Sequence, residues 1–147
     1  MNEAVPNNSS PAEGYSADPA TGAAFATGLT DNHRIYASWC HWAPLIAQIS
    51  VIASGGISFF VPSLVALAMW QIKNKDSQFI DDQGKEALNF QISLLLLGLI
   101  FIPLIFCGVG VILLMALPFL AIVGGIMGGI QSANGTYFRY PMCIRLV

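Results

Sequence analysis

Two long uncharged stretches constrain this chain more than any other feature. Residues 35–72 run for 38 positions without an Asp, Glu, Lys or Arg, and residues 87–130 run for 44. A bilayer core is crossed by roughly 20 apolar residues in a helix, so each stretch is long enough to cross and return. Composition agrees. The 147 residues are 55% hydrophobic and 10% charged, against about 25% charged in soluble domains. One domain of this size cannot hide so much apolar surface from water. Helices satisfy their backbone hydrogen bonds internally, as lipid demands. The sequence therefore predicts an all-α polytopic membrane protein with four transmembrane helices arranged as two hairpins. They fall at about residues 35–54, 57–72, 78–107 and 111–132, with an interfacial helical turn opening the third and a short extended C-terminal segment.

Charge orients this arrangement. The six basic residues are Arg34, then Lys73, Lys75 and Lys85, then Arg139 and Arg145. Four crossings bring all of them to one face, which the positive-inside tendency makes cytoplasmic. Tyr36, Trp39, Trp42, Trp70, Tyr137 and Tyr140 map to the same end, where amphipathic rings favour the interface. The expectation is a multi-pass protein of the bacterial inner membrane with both termini in the cytoplasm.

Residues 1–33 are rich in Asn, Ser, Ala, Pro and Gly, with Glu3, Glu13, Asp18 and Asp31 as their acids. This composition reads as a disordered acidic tail without the basic start and apolar run of a secretory signal. The membrane domain then occupies 34–147, with Asp31 or Asn32 as the first N-cap. Gly55-Gly56 and residues 108–110 are the far turns, and Asn134-Gly135 ends the last helix. Beyond it, Phe138, Tyr140, Met142, Ile144 and Leu146 alternate with Arg139, Pro141, Cys143 and Arg145. That is extended, period-two chain, expected along the cytoplasmic face.

Several side chains invite a chemical reading. His41 is an ionisable group at membrane depth, which needs a partner or a role. Gln48 shares its helix face, and Asn89, Gln91, Gln131 and Asn134 come from the third and fourth helices. Together they form a candidate polar cluster under the cytoplasmic surface. The plain role for it is interhelical hydrogen bonding; the sharper one is a proton or ion path with His41 titrating. Cys40 and His41 are helix neighbours about 100° apart, poor geometry for a nucleophile and its base. No residues stand at metal-ligand spacing, and no catalytic or cofactor-binding group is expected. Cys40, Cys107 and Cys143 form no disulfide pattern and read as small apolar residues. With a net charge of −2 and no basic patch, nucleic acid is not an expected partner.

Gly124, Gly125, Gly128 and Gly129 form two overlapping GxxxG patterns, which let a helix approach closely. A neighbour within the chain is favoured over a second protomer. Asp81, Asp82, Lys85 and Glu86 lie where Arg139 and Arg145 should pass, a candidate cytoplasmic charge network.

The run from Asp76 to Ser93, which contains Gly84-Lys85-Glu86-Ala87-Leu88-Asn89-Phe90-Gln91, resembles the hallmark of an uncharacterised bacterial membrane-protein family. So does Ala133-Asn134-Gly135-Thr136-Tyr137-Phe138-Arg139-Tyr140-Pro141, together with His41 and Pro62. The resemblance covers about residues 33–147. That family is similar to the small membrane subunit of the chloroplast inner-envelope protein-import translocon. The resemblance implies four transmembrane helices and a role in a protein-conducting or assembly complex.

The leading functional expectation is a non-enzymatic scaffold or subunit of a membrane complex, with the lipid bilayer, a membrane-protein partner or further copies of itself as partners. The alternative is a small oligomeric channel or transporter subunit built on the polar cluster.

Overall fold

The computed structural model describes residues 12–141 and 143–147. Four α-helices follow a short hairpin: β1 (Gly14–Ala17), β2 (Ala24–Thr27), α1 (Asp31–Ala53), α2 (Val61–Lys73), α3 (Gln78–Phe101) and α4 (Val109–Ala133).

Local chemistry sets the helix ends. Thr30, one residue before the expected caps, starts α1, its Oγ1 accepting from the His33 N–H at 3.3 Å. Ser77 caps α3 in the same way. Gly55 and Gly56, both at positive φ, reverse the chain after α1. The Ser58 hydroxyl donates to the Ser50 carbonyl at 2.7 Å, closing that turn. The expected third helix to residue 107 is broken instead. Pro103 has no N–H to give and cannot continue α-helical geometry. The chain therefore tightens into a 3-10 helix over Pro103–Cys107, then reverses at Gly108, φ 78°.

Not all four helices have membrane-spanning dimensions. By length and composition, α3 and α4 are long and apolar enough to cross a membrane. At 13 residues, α2 rises about 20 Å, short of a hydrocarbon core of about 30 Å.

Burial departs from that of a water-soluble bundle, with polar groups buried beside apolar ones such as Phe79 and Ile80 and large apolar side chains exposed. The interior holds His41, Gln83, Glu86, Asn89, Gln91, Ser93 and Ser132, whereas Ile49, Ile112, Met115, Phe119, Val123 and Met127 are exposed. In water the informative anomalies are buried polar groups and exposed apolar patches. Here both occur throughout, as expected for a chain surrounded by hydrocarbon.

The disordered reading of residues 1–33 needs correction over its described part. Residues 14–27 form an antiparallel hairpin with Gly14 opposite Thr27. Asp18 nucleates its turn, accepting from the Ala20 N–H at 2.9 Å and the Thr21 hydroxyl at 2.7 Å. These bonds hold the exposed Asp18 carboxyl below its ordinary pKa. Residues 1–11 lie outside the described residues. β2 also pairs with the chain after α4: the Ala26 N–H donates to Gly135 O at 2.9 Å and the Tyr137 N–H to Ala24 O at 2.8 Å. Ala26, Ala37, Phe79 and Ile80 close beneath this cap. Glu13 anchors it, accepting from the Gln78 N–H at 2.8 Å and lying 3.1 Å from His33 Nδ1. A carboxylate at the opening of α3 is well placed in the helix-dipole field.

Candidate functional site

The polar interior is organised around the extended chain that follows α4. Among the described residues this segment forms no regular strand and meets none beyond residue 137, and side chains of α3 take its backbone groups instead. Glu86 Oε1 accepts the Tyr140 N–H at 2.8 Å. Ser93 Oγ accepts the Ile144 N–H at 2.9 Å. Asn89 Oδ1 accepts the Leu146 and Val147 N–H groups at 2.9 and 3.1 Å, while its Nδ2 donates to Val147 O at 3.2 Å. Residues 86, 89 and 93 follow i, i+3, i+7 spacing and share one helix face. One stripe of α3 thus serves as the strand's pairing partner. Outside water, where an unpaired backbone group costs several kcal/mol, this is how irregular chain can lie against a helix.

Tyr140 is the keystone. Its ring stacks on Phe90 with centroids 3.9 Å apart and meets Phe138 edge-on at 4.8 Å. Its Oη lies 2.9 Å from His41 Nδ1. Burial, then the nearby Glu86 charge, raises the phenol above its ordinary pKa, so it stays protonated. Two glycines make the space: a Cβ on Gly128 would lie 2.6 Å from His41 Nδ1 and 2.7 Å from Tyr140 Oη, and one on Gly124 2.5 Å from Phe90. The other two seat α1. Gly125 faces Leu45, Gly129 faces Trp42, and the Ser38 hydroxyl donates to Gly129 O at 2.7 Å. All four glycines meet neighbours within the chain.

Charges close the outer end. Arg139 grips Asp82 through two bonds of 2.7 and 2.6 Å. That grip raises the guanidinium's pKa further. Arg145 reaches the buried Glu86 at 3.1 Å. Lys85 pairs with Asp81 at 3.0 Å, and Asp81 also accepts from Trp70 Nε1 at 2.7 Å. Gln83 links the network inward, donating to Asp82 at 2.9 Å and accepting from the Ser132 hydroxyl at 3.0 Å.

The candidate polar cluster does not assemble as one site. His41 meets Tyr140, and Asn89 holds the strand. Gln48 and Gln91 line a separate cavity of about 870 Å³ toward the turns at 54–60 and 102–108. Asn89 and Gln91 are two apart on one helix, hence about 200° apart in azimuth, and cannot serve one site. Gln131 acts through its backbone carbonyl, which accepts from the Thr136 N–H at 3.0 Å, and Asn134 is the α4 C-cap. Tyr140, read as an interfacial aromatic, is 4% exposed and belongs to the core. The glycine pairs were the sequence signal for its slot. Glu86 sits among surface charges in the sequence yet is buried, 3% exposed. For Gln83, Ser93 and Ser132 nothing in the local sequence shows which face turns inward. Among the described residues, no group of three or more His, Cys, Asp or Glu side chains is placed to hold a metal ion.

A small and polar interior inside an apolar exterior, closed at one end by a charge-clamped strand, defines a small helical protein of the membrane type. The chain belongs to the MamF/MmsF family, the magnetosome magnetite crystal formation protein family, whose model matches residues 32–147. No curated protein and no solved structure matches it. The family match overturns the likeness to a translocon-related family. The stretches 76–93 and 133–141 that carried it lie inside the match, and the implied role in protein translocation goes with it.

Proposed function

We propose that this chain is a non-enzymatic integral protein of the membrane in which magnetite forms, acting there as a scaffold for crystal formation. The observation that carries this reading is the family match across residues 32–147; the two helices of membrane-crossing length and apolarity support it. In this reading α1 and α2 also cross, the short α2 spanning where the bilayer thins locally. The charged end with both termini faces the cytoplasm, following the basic residues. The opposite turns, residues 54–60 and 102–108, then face the interior of the compartment, and they contain no Asp or Glu. Asp81, Asp82 and Glu86 are held by Lys85, Arg139 and Arg145. The chain therefore influences the crystal through the membrane and the proteins it holds there rather than by offering carboxylates to iron. The channel reading loses its motivation because the polar cluster that would form the path is divided.

Deletion of the coding sequence in a magnetite-forming bacterium tests this. Electron microscopy should show crystals of altered size or shape, restored by the full chain, with the protein in the magnetosome membrane fraction. Unaltered crystals in the deletion strain would overturn the proposal.

A further inference from the structure

One cavity is unused by anything described so far. It lies between the far halves of α1, α3 and α4, away from the charge clamp, with a volume of about 870 Å³. That is within the range of small-molecule sites, about 300–1,000 Å³. Its walls are apolar, with Leu94, Leu114 and Ile105 among them, and none of its lining residues is charged. Along α3 it extends from Gln91 to Ile102, about 16 Å at helical rise.

Two polar residues stand in the otherwise apolar lining, Gln48 on α1 and Gln91 on α3. Gln91 is 6% exposed, and both glutamines line the open space, with no side-chain hydrogen bond to either amide among the described residues. Two amides facing a hydrocarbon-lined space are costly unless something in that space pairs with them. A phospholipid acyl chain cannot, because its methylenes carry no acceptor and its ester carbonyls are tied beside a charged headgroup. A charged headgroup has no counter-ion in the lining. What the site matches is an uncharged polar head reaching the amides, with a long apolar chain running along α3 and α4.

We propose that this cavity binds a neutral carbonyl compound with a long apolar chain, of the prenyl-quinone class, whose carbonyl oxygens accept hydrogen bonds from the Gln48 and Gln91 amides. Each carboxamide nitrogen donates, and a ring carbonyl is an acceptor without charge. The remaining wall supplies apolar contact for the chain.

The test uses the full chain purified in mild detergent and equilibrium dialysis with decylubiquinone. Saturable binding is expected, at least tenfold tighter than that of dodecylbenzene, which has the chain but no carbonyl. Gln48→Leu and Gln91→Leu should each weaken quinone binding about tenfold while leaving dodecylbenzene binding unchanged. Gly98→Leu serves as the second variant. A Cβ there meets only Leu117, at 3.6 Å, so the larger side chain should fold, fill the cavity and abolish binding of both compounds. Equal affinity for the two compounds, quinone binding indifferent to both glutamine variants, or a tightly held phospholipid that quinone cannot displace would each overturn the proposal.

Discussion

Glu86 on α3 receives the backbone N–H of Tyr140 at 2.8 Å, and through that bond a buried carboxylate holds the C-terminal strand to the bundle. The same side chain accepts from Arg145 at 3.1 Å, so its charge is compensated from the strand it holds. Glu86→Ala removes the Tyr140 bond and both bonds from Arg145, leaving Arg145 without its carboxylate. Hydrogen bonds to charged groups contribute about 1.5–3 kcal/mol each; Arg145 is half exposed and is left to solvent, so its lost ion pair adds little. A loss of roughly 2 kcal/mol is expected, read as a lowered midpoint in detergent unfolding. Glu86→Gln keeps an oxygen for Tyr140 and should lose less than half of that. Equal losses in the two variants would show that the backbone bond contributes nothing.

The glycine stripe makes a ranked prediction. Gly128→Ala places a methyl group 2.6 Å from His41 Nδ1, and Gly129→Ala places one 2.5 Å from the Trp42 ring. Both rings are wedged and cannot swing aside cheaply, so overpacking should cost about 1–3 kcal/mol. Gly125→Ala meets the flexible end of Leu45 at 3.1 Å and should cost under about 1 kcal/mol. Thermal unfolding followed by circular dichroism would order the three. The idea fails if Gly125→Ala proves the most damaging.

These expectations show where the sequence was informative. Charge-free length marked α3 and α4, because apolar extent is a property of composition alone. The period-two alternation after Gly135 marked the strand, since Tyr140, Ile144 and Leu146 stand two or four apart. The hairpin was missed because Gly, Ala and Ser dominate residues 14–27. Its strand signal is weak, and much of its support comes from Gly135 and Tyr137, more than 100 positions away. The Asp18–Gly22 turn was its one local cue. Depth along each helix is legible for His41, Gln48, Asn89 and Gln91, and azimuth separates two of them. Residues two apart on a helix face nearly opposite ways, and this alone separates Asn89 from Gln91.

Orientation is open to a direct measurement. Cys107 is exposed beside the far turn, and Lys75 belongs to the charged end. In sealed vesicles of the magnetite-bearing membrane, whose outer surface is the cytoplasmic face, a membrane-impermeant maleimide should label Cys107 only after permeabilisation in a chain carrying Cys40→Ala and Cys143→Ala. In a second chain that adds Cys107→Ala and Lys75→Cys, labelling should need no permeabilisation. The reverse pattern would turn the molecule over and place the charge clamp inside the compartment.

Asn89 offers the sharpest test of how the strand is held. Its Oδ1 accepts two consecutive backbone N–H groups, from Leu146 and Val147, and its Nδ2 returns a bond to Val147 O. Leucine matches asparagine in size but supplies neither donor nor acceptor. In Asn89→Leu the amides of residues 146 and 147 should exchange with solvent deuterium at least tenfold faster, since about 1–1.5 kcal/mol of net stabilisation is lost with each neutral bond. Tyr140, held separately by Glu86 and stacked on Phe90, should keep its protection. The strand would then fray from its far end while its keystone stays seated. Simultaneous loss of protection at 140 and 146 would show instead that the strand releases as one unit.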